Sequence, residues 1–166
     1  METLWAPWRM EYILGKREYY CIFCPDGHGH SDAERLILHR GRLVMVMMNK
    51  FPYNNGHLLV APWRHVANLE ELIEDEMTHI MRWVTIATRI IAELMHPNGF
   101  NVGINLGNAA GAGVEAHLHV HVVPRWQGDT NFLTVFSDVR SIPEHLKQTY
   151  EKLLPYFKKE SAHEIH

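Results

Sequence analysis

This chain of 166 residues has no long hydrophobic run, no excess of basic residues and little cysteine. No stretch approaches the roughly 18 consecutive apolar residues that a membrane-spanning helix needs, so we expect no membrane span. Lysine and arginine number 16 against 19 aspartates and glutamates, for a net charge of -3. This balance excludes the basic field that binds long nucleic acid. We expect one domain over residues 1–166, with 1–20 as an N-terminal extension.

The only two cysteines, Cys21 and Cys24, are separated by two residues. In a reducing compartment this spacing is typical of metal ligation or redox chemistry rather than of a disulfide scaffold. Residues 1–13 contain no apolar core of the length that a signal peptide needs. We therefore expect the protein to be cytoplasmic.

Histidine is abundant instead, with 13 residues, and three of them alternate with aliphatic residues as His117, His119 and His121. In an extended strand successive side chains point to opposite faces, so the three imidazoles share one face and the intervening aliphatic residues share the other. A plain solvated face is a poor explanation, because strand positions favour β-branched or aromatic residues.

A single metal ion is also a poor explanation for all three histidines. A straight strand spreads their nitrogens over about 13 Å, whereas zinc–nitrogen bonds are roughly 2.0 to 2.1 Å long. The segment 107–113 just before them is rich in glycine and alanine, which allows backbone N–H groups to approach a phosphate. The pair of features predicts an anion site beside a nucleophilic histidine.

The rest of the chain predicts an α+β fold with an antiparallel sheet. We expect strands at 35–38, 43–48, 57–61 and 100–106, and a histidine strand that ends at Pro124. A long helix should begin after Asn68, the expected N-cap, with Glu71 as its reciprocal partner. Its apolar stripe should comprise Leu69, Leu72, Ile73, Met77, Ile80, Val84, Ala87, Ile91 and Leu94. A C-terminal helix is expected over 142–160, with Pro143 in its first turn.

The segment His117-Leu118-His119-Val120-His121-Val122-Val123 resembles the defining motif of the histidine-triad (HIT) superfamily at every position. Asn49-Lys50-Phe51-Pro52 and Gly56 to Pro62 fit the family's early segment, so the resemblance extends from about Cys21 to Pro124. It implies a HIT-like fold with a five-stranded antiparallel sheet, one long helix and a C-terminal helix. Residues 4–9 and 124–132 resemble the bacterial diadenosine tetraphosphate phosphorylase-like branch.

The resemblance implies a nucleotide hydrolase or nucleotidyltransferase that acts on nucleoside phosphates, notably dinucleoside polyphosphates. His119 would attack the α-phosphorus to form a nucleotidyl-histidine intermediate, and His121 would stabilise the phosphate and its leaving oxygen. The expected nucleotide-binding residues are Asn49 at the ribose, and Asn105, Gly111, Gly113 and Val114 at the phosphate.

Three alternatives stay open at this point. The same nucleophile could serve a nucleoside phosphoramidate hydrolase, the site could belong to a nucleotide-binding regulatory protein with little catalysis, or metal-bound water could attack the substrate. Gly113 stands where many family members have a glutamine that holds the phosphate. The acceptor in the second step, water or inorganic phosphate, is therefore open too.

Cys21 and Cys24 have two possible sets of partners for a structural zinc ion. His28 and His30 would complete a local Cys2His2 group, although with tighter spacing than usual. The resemblance implies His65 and His117 instead. It also implies a homodimer in which two sheets join edge to edge, and covering an exposed strand edge makes this physically reasonable.

Overall fold

The computed structural model describes residues 21–24, 29–110, 117–129 and 145–163. Within them five strands form one antiparallel sheet in the order β1-β2-β3-β5-β4. The strands are β1 (Ile37–Arg40), β2 (Val44–Met48), β3 (Leu58–Pro62), β4 (Gly99–Ile104) and β5 (Val120–Arg125), and the helices are α1 (Glu74–Met95) and α2 (Leu146–Ala162). The predicted α+β class and the five-stranded antiparallel sheet are confirmed.

The two helices cover one face of the sheet and form the main hydrophobic core with it. Alternate strand residues such as Val46, Val60 and Val122 pack there against Trp83 of α1 and Phe157 of α2. The opposite face carries a smaller apolar cluster of Phe23, Ile37, Met45, Met47, Leu59 and Ala61. Because both faces of β2 are covered, all five of its residues are buried, which explains its continuous apolar run.

The predicted start of the long helix is wrong. The carboxylate of Glu71 does accept a hydrogen bond from the Asn68 N–H, at 2.9 Å, but this pair closes a short 3-10 turn, Leu69–Glu71. The next two residues are extended, and α1 begins at Glu74. A second carboxylate, that of Glu76, accepts from the Ile73 N–H and caps α1.

The extended residues between the turn and α1 also shift the helical phase of the predicted apolar stripe. Leu69, Ile73 and Met77 are exposed at 42%, 53% and 46%, against the prediction. The later members Ile80, Val84, Ala87 and Ile91 are buried as expected, together with Trp83 and Ile90, which the stripe did not include. Across the residues described, no helix is both long enough and apolar enough to cross a membrane.

The C-terminal helix also begins later than predicted. α2 starts at Leu146, after an extended His145 whose Nδ1 accepts a hydrogen bond from the Lys147 N–H at 3.3 Å. The helix ends at Ala162, two residues beyond the expected bound. Pro143 lies outside the described residues.

Candidate active site and metal centre

The three histidines of the motif lie on the sheet face opposite the helices. Leu118, Val120 and Val122 belong to the helix-covered core, so the predicted alternation is confirmed. Regular pairing of β5 begins only at Val120, however. The preceding residues are held by the loop after β3, since the Leu118 N–H donates to the Val66 carbonyl at 2.7 Å.

A hydrogen bond to the backbone holds His119 in one neutral form. Its Nδ1 lies 2.8 Å from the backbone carbonyl of His117. A carbonyl oxygen can only accept, so Nδ1 carries the proton. In the neutral imidazole the other nitrogen, Nε2, then has a free lone pair, which is the form that a nucleophile requires.

The protonation of His121 is set through a second histidine, His57, which is fully buried. The Tyr53 N–H donates to His57 Nδ1 at 3.0 Å, so His57 carries its proton on Nε2. That Nε2 lies 2.9 Å from His121 Nδ1, which must accept. Neutral His121 therefore carries its proton on Nε2, a buried atom without a hydrogen-bond partner among the described residues. The site thus contains a lone pair on His119 next to a free N–H donor on His121.

Burial keeps these imidazoles neutral. It lowers the pKa of His119, partly offset by the hydrogen bond to the His117 carbonyl. Burial, with a smaller effect from the charge of His119, lowers the pKa of His121 to about 4. The rings of His119 and His121 are 4.9 Å apart, so protonating either one would raise the cost of protonating the other.

The two predicted nucleotide-binding asparagines lie near this face. The Oδ1 of Asn49, directly after β2, accepts from the Phe51 N–H at 2.9 Å, and its Nδ2 is 3.3 Å from His57 Nδ1. Asn105 directly follows β4, whose last residue, Ile104, pairs with Val120 at the start of β5. Gly111, Gly113 and Val114 lie outside the described residues.

A second group of side chains meets at the start of the motif. Cys21, Cys24, His65 and His117 each bring one ligand atom into a cluster whose atoms all lie within 4.8 Å of one another. Cys21 Sγ is 3.2 Å from His117 Nδ1, and Cys24 Sγ is 3.2 Å from His65 Nδ1. Of the three motif histidines only His117 belongs to this cluster. This agrees with the expectation that alternate residues of a strand are too far apart for all three to bind one ion.

The cluster has the chemistry of a closed zinc site. Two thiolates and two imidazoles form a common tetrahedral donor set, and bonds of about 2.3 Å to sulfur and 2.0 to 2.1 Å to nitrogen separate ligand atoms by roughly 3.5 Å. His117 Nε2 donates to the Pro62 carbonyl at 2.8 Å, which leaves Nδ1 free to ligate. Burial lowers the pKa of His117, so it is neutral as a ligand must be. His28, in the alternative local set, lies outside the described residues.

The family follows from this fold and this arrangement of histidines. A model of the HIT domain matches residues 31–128. The chain is 42% identical, over 157 residues, to a protein of Mycobacterium tuberculosis named AP-4-A phosphorylase, an alignment that spans 90% of this chain and 80% of that one. The chain therefore belongs to the HIT family.

Two solved structures share the fold. A hypothetical histidine triad nucleotide-binding protein from Sulfolobus tokodaii aligns with a TM-score of 0.59 and 27% identity, over 77% of this chain and 84% of that one. A Zn-bound histidine triad family protein from Mycobacterium smegmatis aligns with a TM-score of 0.66 and 24% identity, over 86% of this chain and 96% of that one.

Sequence reasoning missed two residues of the site, His57 and Phe23. The sequence pattern assigns His57 only to the start of a strand. In the structure it lies just before β3, which pairs with β5 so that Leu59 is opposite His121. A period of two places His57 on the same face as Leu59, so the antiparallel pairing could have revealed it. Phe23 carries no comparable signal, because its position depends on how the segment from 21 to 24 packs against the sheet.

Proposed function

We propose that this protein is a nucleotidyl-transferring enzyme that cleaves dinucleoside polyphosphates through His119. The Nε2 lone pair attacks the α-phosphorus, a nitrogen–phosphorus bond forms, and the bond to the leaving phosphate oxygen breaks. The Nε2–H of His121 donates a hydrogen bond to the oxygen on which negative charge develops. The nucleotide is then carried covalently on His119.

The hydrogen bond from His119 Nδ1 to the His117 carbonyl is the observation that carries this proposal. It fixes the nucleophilic lone pair on Nε2, and the chain from Tyr53 through His57 places the complementary proton on His121. A general base is not needed for the attack, because burial already keeps His119 neutral. We assign Asn49 to the ribose and Asn105 to the phosphate; Gly111, Gly113 and Val114 remain predicted phosphate contacts.

The second step transfers the nucleotide from His119 to an acceptor. Attack by water gives a nucleoside monophosphate, and attack by inorganic phosphate gives a nucleoside diphosphate; in both cases the electron pair of the broken phosphorus–nitrogen bond returns to Nε2. The similarity to the protein named AP-4-A phosphorylase supports a dinucleoside tetraphosphate as substrate and phosphate as acceptor.

The test of the nucleophile compares His119→Ala with His79→Ala, whose imidazole is on α1, on the other side of the sheet. We expect His119→Ala to bind nucleotide and to lose turnover by a factor on the order of 10³ or more. Labelled nucleotide should be trapped on the wild-type protein and on His79→Ala only. Turnover unchanged in His119→Ala would end the covalent mechanism.

The acceptor and the substrate are tested by product identity. Diadenosine tetraphosphate is incubated with and without inorganic phosphate, beside a nucleoside phosphoramidate. ADP and ATP formed only with phosphate would support phosphorolysis, whereas AMP and ATP would support hydrolysis. Faster cleavage of the phosphoramidate would favour the alternative substrate class, and binding without turnover would favour a regulatory protein.

We also propose that Cys21, Cys24, His65 and His117 bind one structural zinc ion. Bound zinc supplies a fixed tetrahedral link between the segment from 21 to 24, the loop after β3 and the first motif histidine. All four positions are filled by protein, so no position is left for a reacting water molecule, in contrast to a zinc-dependent hydrolase. Two thiolate ligands need a reducing environment, which supports the cytoplasm as the location.

We further propose a homodimer that forms at the free edge of β4. Within the described residues β4 is an edge strand, and Asn101, Val102 and Gly103 are exposed, whereas the other edge, β1, packs against α2. Met77 and Met81 are exposed at 46% and 58%, and at 100° per residue they lie on the flank of α1 away from α2. An exposed strand edge beside exposed apolar side chains is typical of a surface that pairs with another chain.

A further inference from the structure

Phe23 connects the metal centre directly to the proposed nucleophile. It lies between Cys21 and Cys24 and is completely buried. Its ring stacks on that of His119, with 4.8 Å between centroids and 27° between planes. The same ring lies 5.1 Å from the ring of His117. One side chain from the turn between Cys21 and Cys24 therefore touches both the metal-binding histidine and the proposed nucleophile.

The backbone on either side of Phe23 is held at several points. The Cys24 N–H donates to the Cys21 carbonyl at 3.1 Å and closes the turn. One guanidinium nitrogen of Arg35 donates to the carbonyls of Ile22 and Cys24, at 2.8 and 2.9 Å. When both sulfurs ligate a metal, the residues before and after Phe23 are fixed as well, so the ring has little freedom to move.

His119 needs such a constraint because, among the described residues, its side chain makes one hydrogen bond, at Nδ1. One hydrogen bond sets the tautomer only while it is intact, and by itself it does not prevent the ring from tilting, which changes where the Nε2 lone pair points and weakens the bond. A flat contact over the ring face opposes that tilt. A nucleophile must be held close to the line of attack for efficient reaction.

We propose that Phe23 is a positioning residue that makes the orientation of His119 depend on metal occupancy. With the metal bound, the turn presses the Phe23 ring against His119 and aims Nε2 at the α-phosphorus. Without the metal, the two sulfurs are no longer tied to one common point and the turn can shift. His119 then tilts far enough to weaken its hydrogen bond to the His117 carbonyl, and the other tautomer becomes populated. The metal thereby controls the chemical step without contacting the substrate. This proposal rests on the proposed role of His119 as nucleophile.

The competing explanation is that Phe23 is only an apolar part of the sheet face, where Met45, Met47 and Leu59 belong to the same cluster. Loss of packing would then lower stability or nucleotide affinity. It would not separate the rate of phosphorus transfer from binding. The experiment must therefore measure both quantities and the state of the His119 ring.

The first measurement uses Phe23→Leu, which keeps an apolar side chain but removes the flat face, and Ile22→Val as a control in the same turn. In zinc-loaded protein we expect single-turnover transfer of nucleotide to His119 to fall at least about tenfold in Phe23→Leu. The nucleotide Kd and the zinc content should change less than about twofold. Ile22→Val should behave as wild type. If Phe23→Leu folds poorly, Phe23→Met replaces it.

The second measurement follows the imidazole nitrogens of His119 by NMR, with and without a chelator. In wild type, zinc removal should convert one Nδ1-protonated tautomer into a mixture. In Phe23→Leu the mixture should exist with zinc bound, and chelation should add little to it, because the two changes act on the same contact.

Two results would overturn the proposal. One is a weaker Kd with an unchanged transfer rate in Phe23→Leu, which would make Phe23 a binding surface only. The other is an equal effect of chelation on His119 in wild type and Phe23→Leu. If wild type transfers no nucleotide at all, the proposed function fails, whereas the NMR comparison still tests the link between the metal and His119.

Discussion

At the residue scale, the chemistry of this site depends on which nitrogen of each histidine carries a proton. Backbone groups decide this, because an N–H can only donate and a carbonyl can only accept. The Tyr53 N–H determines His57, His57 determines His121, and the His117 carbonyl determines His119. Only the outcome for His121 depends on a contact between distant segments, whereas the contacts that determine His57 and His119 are local in the chain.

Replacing His57 should therefore impair the reaction rather than the binding of nucleotide. In His57→Ala the Nδ1 of His121 loses its donor, so its proton can move to Nδ1 and leave no donor at Nε2. We expect kcat to fall roughly ten- to hundredfold with KM changed much less. Steady-state kinetics with His79→Ala as control would measure this; a rise in KM alone would contradict the orienting role.

At the element scale, the metal centre connects segments that are far apart in the chain. We expect about one zinc ion per wild-type chain, and substantial loss of zinc in His65→Ala, because removing one of four ligands opens the shell. His30→Ala is the matched control, since His30 belongs to the alternative local set. Metal analysis by mass spectrometry measures both. Full zinc in His65→Ala with loss in His30→Ala would instead assign the metal to the local set.

The elements that were predicted well are those whose pattern is local. β2 was indicated by a continuous apolar run too short for a helix, and the alternation around His119 follows from the period of two in an extended chain. The start of α1 was wrong because Asn68 and Glu71 form a genuine capping contact on a turn that does not continue. The capping signal in the sequence is the same whether or not a helix continues from the turn. Whether the helix propagates depends on Leu72, which is buried in the core in an extended conformation.

At the scale of the whole molecule, a buried histidine links β1 to both helices. The Nδ1–H of His39 donates to Ser161 Oγ at 2.6 Å, and its ring stacks on Trp83 with 3.5 Å between centroids. The Ser161 hydroxyl in turn donates to the Phe157 carbonyl. Burial lowers the pKa of His39 from its ordinary value of 6.5 to about 3, so it stays neutral in the folded protein.

Stability should consequently fall as the pH drops below about 6.5. There the unfolded chain binds a proton at His39 that the folded protein does not, so the folded state loses stability until the pH reaches about 3. His39 should contribute a loss of about 1.4 kcal/mol between pH 7.5 and 5.5. In His39→Gln this part of the pH dependence should disappear, although the variant is less stable at both values.

Urea unfolding at the two pH values, at one protein concentration, measures the difference. The exposed His163 near the end of α2 provides the control, and His163→Gln should follow wild type. The same pH dependence in wild type and His39→Gln would show that His39 does not link folding to protonation.

The proposed dimer is also a property of the whole molecule, and variants of its surface test it. Val102→Lys and Met81→Glu place charges on the exposed edge of β4 and on the apolar flank of α1. We expect the sedimentation coefficient of wild type to correspond to two chains and that of the double variant to one. Tyr156→Lys, on the exposed side of α2, should leave the assembly unchanged. A wild-type protein that sediments as a monomer would contradict the dimer.

The sequence by itself determined the family, the fold class and the alternation of the histidines, because a motif, a strand period and a helix period are local properties of the chain. Only the tertiary structure decided which partners those residues meet. Cys21 reaches His117 across 96 positions, and His57 reaches His121 across 64. Such pairs form because the sheet buries both partners in one place, and their protonation follows from backbone groups that the packing brings to them. The position of Phe23 against His119 is of the same kind, and no local pattern encodes it.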